Sequence, residues 1–131
     1  MNWFTHDNLD QLDHSEIDQD HQQFYDLLKS LEQVDNADFP AHFQELYRLT
    51  EAHFEMEDDL MTSHEYPGAA DHQAEHQRVL GEFKQFQLRV NKGLISFGRV
   101  FARERLCQWF VLHISTMDSA LVSHIKTRSP R

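Results

Sequence analysis

Asp71-His72-Gln73-Ala74-Glu75-His76-Gln77-Arg78-Val79-Leu80-Gly81-Glu82-Phe83 carries two histidines four residues apart, at the head of a run in which Val79/Leu80, Phe83, Phe86 and Val90 recur at helical spacing. An α-helix turns once in about 3.6 residues, so side chains four apart lie on one face and can reach one ion or two adjacent ions. His53 and Glu57 have the same spacing in the preceding segment, His21 stands in an earlier one, and His113 with Asp118 in the last. Five imidazoles and two carboxylates on four helix-compatible segments are the inventory of a nitrogen-rich dinuclear metal site. The step from His113 to Asp118 is five residues, which overshoots a full turn by roughly 140° on an ideal helix. That pair must therefore straddle the cavity or span a locally widened turn. Any one pair alone is also what a solvated face or a hydrogen-bonded core histidine gives. The test is whether four segments bring these residues to one depth.

Working outward, Ser15 and Asp18 form a helix start signal, followed at helical spacing by Ile17, His21, Phe24, Leu27/Leu28, Leu31 and Val34. Asp35-Asn36 ends that segment. Phe39-Pro40 opens the next, proline being tolerated in the first turn, and Tyr66-Pro67-Gly68 stops it. The third ends at Asn91-Lys92-Gly93, and the fourth carries Phe101, Leu106, Trp109/Phe110, His113, Ile114, Met117 and Leu121. The expected helices span about 15–34, 40–64, 69–91 and 97–125, with an extended arm before them and a flexible tail over about 126–131. No segment alternates convincingly as a strand.

Ligand depths agree along most of this chain. His21 lies about 14 residues from the end of helix 1 and His53/Glu57 about 15 from the start of helix 2, roughly 20 Å each. The helix 3 and helix 4 sets match at about 17 and 18 residues, whereas the turn between helices 2 and 3 leaves about 9 residues against 5. A climb through Tyr66-Pro67-Gly68 would absorb the difference. Short connections make sequential helices antiparallel, so the expected fold is all-α: an up-down-up-down four-helix bundle forming one domain over 1–131, with the site nearer one end.

With 131 residues, 40% of them hydrophobic, the chain can bury a core that takes in many of its ten phenylalanines. A formal charge of −10 argues against nucleic acid or an anionic membrane as partner. There is one cysteine, no apolar run of membrane-spanning length and no signal-peptide pattern over Met1 to Asp10, which makes a cytoplasmic location the expectation. Cys107 reads as a small core residue.

These motifs resemble those of the hemerythrins, and specifically the single-domain bacterial hemerythrins. The resemblance runs from Trp3 through Ile17-Asp18-x-x-His21, His53-Phe54-x-x-Glu57, Tyr66-Pro67, His72-x3-His76 and Trp109-x3-His113-Ile114 to Asp118. It implies a non-haem diiron centre, two iron ions cycling between ferrous and ferric and joined by an oxo or hydroxo bridge, that binds dioxygen. It also implies the partition of the ligands: His72, His76 and His113 on one iron, His21 and His53 on the other, with Glu57 and Asp118 bridging. The first iron would then be six-coordinate and the second five-coordinate, with the vacancy for dioxygen. Donor type alone leaves zinc and manganese open. Two departures from the family pattern stand out. Asp13-His14-Ser15 replaces the glycine-proline turn before helix 1, and Leu121 replaces the tyrosine often found three residues after the bridging aspartate.

Reversible binding needs a dry pocket. Phe24, one turn beyond His21, is a candidate wall, and Phe54, Trp109, Phe110 and Ile114 are further candidates because they flank the ligands in sequence. His6, His14, His42, His64 and His124 have no place in the ligand pattern and read as surface or terminal residues, with His124 favourable at a helix C-terminus. The leading expectation is a non-enzymatic dioxygen binder for carriage, storage or delivery. The alternatives are an oxygen or redox sensor acting through a partner protein, an oxidoreductase consuming peroxide or nitric oxide, and an iron donor in repair.

Overall fold

The computed structural model describes residues 12 and 14–128. Helix α1 spans Ser15–Ser30, α2 Phe39–Ser63 and α3 Ala69–Asn91. The fourth rod, α4, runs over 95–128 without a break in chain direction, but it changes winding twice. Ile95–Val100, Cys107–His113 and Ser119–Arg128 are α-helical, whereas Phe101–Leu106 and Ile114–Asp118 are wound as π-helix. Among the described residues there is no strand. The helices pack as an up-down-up-down antiparallel bundle, joined by the short turns that proline, glycine and polar residues mark in the sequence. The arm expected before α1 lies outside the described residues.

Three ends differ from expectation for identifiable reasons. The cap of α1 is His14, one residue before the Ser15 of the start signal: its Nδ1 accepts from the Ile17 N–H, while the Asp18 carboxylate accepts from the N–H groups of Leu12 and His14. The helix also stops at Ser30 and not near Val34. The N–H groups of Leu31, Glu32 and Gln33 reach back three residues, tightening the last turn. Arg99 then donates to the carbonyls of Leu31 and Val34 and to Asn36, with its guanidinium 4.6 Å from the Phe39 ring centre. At the other end, residues 126–128, expected in a flexible tail, continue α4, because Leu121, Val122 and Ile125 are buried and anchor this last segment.

Both turns at the ends of α2 and α3 are Schellman closures. After α3, Gly93 takes φ +92, with Gly93 N–H bonded to Val90 and Leu94 N–H to Arg89. After α2 the same pattern is made with Glu65 at φ 48, its N–H bonded to Thr62 and that of Tyr66 to Met61. This reversal carries the chain from Ser63 to Ala69 and supplies the climb that brings His72 level with Glu57. His124 donates from Nε2 to the His64 carbonyl at 2.8 Å, so it sits at the C-terminus of α2, not of its own helix. His64 and His124 thus close the bundle and are not plain surface residues.

The core has two parts, one on each side of the polar layer. The larger is phenylalanine-rich: Phe39, Phe43, Phe83 and Phe101 are buried, with ring centres 4.9 Å apart for Phe43–Phe83 and 5.4 Å for Phe83–Phe101. Each such side chain contributes about 1.5 to 3 kcal/mol on burial, and each edge-on or tilted pair about 0.5 to 1.5 kcal/mol more. Gly98 permits the close approach here, since a Cβ on it would collide with Val90 and Phe39. Cys107 belongs to this cluster, and burial pushes its thiol up to about 12, consistent with a core residue. The smaller part holds Ile17, Met61, Leu121, Val122 and Ile125.

Candidate metal centre

Every helix delivers to the layer between these clusters. His21 comes from α1, His53 and Glu57 from α2, His72 and His76 from α3, and His113 and Asp118 from α4. All seven are buried, from 0% exposed for Glu57, His76 and Asp118 to 6% for His53. The five-residue step on α4 is resolved by winding: Ile114–Asp118 is π-helix, whose wider turn puts residues five apart on one side. His113 Nε2 and Asp118 Oδ1 are consequently 3.1 Å apart.

The seven side chains form two sets that share their carboxylates. Glu57 Oε1 lies 3.1 Å from His72 Nε2 and 3.2 Å from His76 Nε2, and Asp118 Oδ1 lies 3.1 Å from both His72 and His113 Nε2. The opposite oxygens serve the other set: Glu57 Oε2 is 3.0 Å from His53 Nε2, and Asp118 Oδ2 is 2.7 Å from His21 Nε2. One set therefore offers three imidazoles and two carboxylate oxygens, and the other two imidazoles and two carboxylate oxygens, each within a 4.8 Å span. Among the described residues, none outside the seven enters either set.

Geometry and charge both indicate that this layer is incomplete as protein alone. Both Glu57 oxygens and Asp118 Oδ1 are buried without a hydrogen-bond partner, although imidazole nitrogens lie within 3.2 Å. The lone pairs thus converge on shared points and do not pair with one another. On the same side, His72 and His76 Nε2 each stand 3.2 Å from His113 Nε2, an approach of like donors that a cation among them satisfies. Without metal, protons act as the counter-charge. Burial disfavours a charged His53, but the Glu57 carboxylate and Asp20 outweigh it and lift its pKa to about 10. Burial likewise opposes a charged His72, and Asp118 and Glu57 raise it to about 9. Burial and the charge of Asp118 push Glu57 up, yet its imidazole neighbours, His53 first, bring it down to about 2. Asp118 is held well below its usual range, against burial, by His113, His21 and His72. His76 is lowered, by burial first and then by His72 and His113. Nitrogen and carboxylate donors of this kind fit a first-row divalent metal.

Around the cluster lie residues that the sequence reading missed. Asp20 accepts at 3.2 Å from His53 Nδ1, and Asp58 stands 3.7 Å from His76 Nδ1. A carboxylate hydrogen-bonded behind a metal-binding histidine fixes the ring and its tautomer, as Asp20 does for His53, whereas Asp58 is beyond hydrogen-bond reach of His76. Each adjoins a predicted ligand in sequence, Asp20 before His21 and Asp58 after Glu57, and that adjacency was the available signal. Phe54 stacks on His76 with centres 3.8 Å apart, and Trp109 on His113 at 4.5 Å.

A small cavity opens on His53, His113 and Asp118. Its other walls are Phe24, Phe54, Trp109 and Phe110, together with Thr50, whose hydroxyl donates to the Leu46 carbonyl at 2.7 Å. Its free space of about 10 Å³ is what one molecule of water size occupies. Phe24 and Phe110 meet edge-on at 4.2 Å, and Phe110 also touches the His21 ring edge-on. Ile114 is not among the walls. It is buried in the same apolar cluster as Phe24, Phe54 and Phe110.

The fold and the cluster define a class: a helical bundle with a buried histidine-carboxylate centre able to hold metal. The Hemerythrin HHE cation binding domain matches residues 12–125, and the chain belongs to this hemerythrin family. A protein named Bacteriohemerythrin from Ralstonia nicotianae is 29% identical over 113 residues, covering 86% of this chain and 82% of that protein. One of the hemerythrins of Sipunculus nudus is 28% identical, covering 88% and 87%, and Hemerythrin of Themiste dyscrita is 29% identical, covering 78% and 76%. No solved structure matches the chain.

Proposed function

We propose that this protein binds dioxygen reversibly at a non-haem diiron centre, for carriage, storage or delivery. The observation that carries this reading is the pairing of two carboxylate-sharing donor sets with a small aromatic cavity that reaches them. His72, His76 and His113 with Glu57 Oε1 and Asp118 Oδ1 would hold one iron, and His21 and His53 with Glu57 Oε2 and Asp118 Oδ2 the other. The irons, when bound, supply the electrons that dioxygen takes up on binding and returns on release.

The chain contributes everything else. The second set has one imidazole fewer, and the cavity reaches its His53 as well as His113 of the first set, so an exogenous ligand would have both a place and a route to an ion held by the smaller set. Asp20 accepts the Nδ1 proton of His53, which keeps the Nε2 lone pair aimed inward. Phe24, Phe54 and Phe110, each 3% exposed, exclude the water and protons that would otherwise strip the ligand away. Only two carboxylates serve two ions. A donor set with so little negative charge favours the ferrous and ferric states over more oxidised ones. Names of the relatives, hemerythrin and bacteriohemerythrin, support the same reading.

The test is the visible spectrum of reduced, iron-loaded protein exposed to dioxygen and then returned to an anaerobic atmosphere. An oxygenated band that forms and disappears over repeated cycles is expected. Continuous consumption of dioxygen or peroxide with added reductant, and no persistent band, would replace the carrier reading with an enzymatic one.

A further inference from the structure

The buried cavity and the protein surface meet at one residue. On the outside, between α3 and α4, runs a groove of about 320 Å³ with Phe101 and Leu106 in its floor and Glu82, Arg105 and Leu112 on its rim. Trp109 lines this groove, and it also lines the cavity beside His53; among the described residues no other is common to both. The remaining cavity walls are all buried, Phe24, Phe54 and Phe110 among them at 3% and Thr50 at 2%, whereas Trp109 is only half-buried.

We propose that Trp109 is the gate through which a small ligand passes between solvent and the cavity, with the groove as its mouth. The inference rests on the reading of the cavity as the dioxygen site. Trp109 is held by ring contacts, stacked on His113 at 4.5 Å and edge-on to Phe54 at 5.8 Å. Among the described residues its indole N–H has no hydrogen-bond partner, so swinging outward breaks no directional bond. The groove provides the space into which the ring would swing. Its width is fixed independently, because Arg105 on α4 makes a two-point pair with Glu82 on α3, at 2.6 and 2.7 Å. Opening therefore needs a side-chain rotation and no separation of helices. A gate alters how fast a ligand arrives and leaves without altering how tightly it is held.

The experiment is stopped-flow binding of azide to oxidised, iron-loaded protein. Trp109→Ala should raise the association and dissociation rate constants together by about tenfold or more, a larger change than any in Kd, since the ring also lines the cavity and stacks on His113. Leu112→Trp adds bulk on the groove rim at a residue 63% exposed and not among the cavity walls, so it should slow both steps with Kd unchanged. It also carries the test if Trp109→Ala fails to fold. Azide binding with rate constants that neither substitution moves, or a change in Kd alone, overturns the gate and leaves the site reading standing. Absence of azide binding by the iron-loaded parent protein overturns the site reading, and the gate with it.

Discussion

The phenylalanine layer and the histidine layer of this bundle are equally buried and differ in what completes them. Around Phe39, Phe43, Phe83 and Phe101 the contacts are apolar and satisfied by the chain itself. One layer away, Glu57 and Asp118 present buried oxygens without a hydrogen-bond partner among the described residues, and without a cation these carboxylates favour the charged form of His53 and His72. One half of the molecule is thus stabilised by packing alone, and the other is stabilised fully only when metal is present.

That contrast is tested most strongly by removing the metal. Ions that bind the native state only add their binding free energy to folding, about 4 kcal/mol at a thousandfold excess over Kd, or on the order of 10 to 20 °C in Tm. Calorimetry of metal-free and loaded protein should show this drop, and equal melting temperatures would place the cluster outside the cooperative fold. Phe43→Ala should cost about 3 to 5 kcal/mol, and by a similar amount with or without metal, because it damages the layer that metal does not complete.

A second comparison uses autoxidation in place of stability. Phe24→Ala enlarges the cavity wall and touches no ligand, so oxygenated protein should turn ferric several-fold faster with its iron content unchanged. Phe43→Ala is the control for general loosening, measured well below its own Tm. Equal acceleration in both variants would make Phe24 an ordinary core residue.

The metal-free protein should also show the histidine layer in its pH dependence. His53 has its pKa raised from 6.5 to about 10, so the stability it contributes is complete below 6.5 and is lost as pH rises toward 10. Glu57 is lowered from 4.5 to about 2, so its contribution is present above 4.5 and lost as pH falls toward 2. Tm of the metal-free form should therefore peak between about 4.5 and 6.5, and a Tm still rising between pH 7 and 9 would contradict this. The smallest effect is expected at the far turn. Gly93→Ala forces a side chain to φ +92 and should cost about 1 kcal/mol in metal-free and loaded protein alike, without changing metal content.

How much of this was legible in the chain depended on distance along it. The i,i+4 pairs His53/Glu57 and His72/His76 announced their shared faces because helical geometry is local, and phenylalanine periodicity announced the other layer. His113 and Asp118 left two alternatives, since a sequence does not display where a helix widens; the π-winding at Ile114–Asp118 decides between them. The same device at Phe101–Leu106 gave no signal at all. The early end of α1 depends on Arg99, some seventy residues away, reaching the Leu31 carbonyl. Thr50 and Asp58 matter through what other helices bring beside them, which their own places in the chain do not display.

The sharing of Glu57 and Asp118 between two donor sets is best tested by anaerobic titration of metal-free protein with ferrous iron, followed by metal analysis. The parent chain should end at two irons. His21→Ala, which touches only the smaller set, should retain one, and Glu57→Ala, which removes oxygens from both sets, should retain neither tightly. A parent end point of one iron, or two irons held by Glu57→Ala, would contradict a dinuclear centre bridged by these carboxylates.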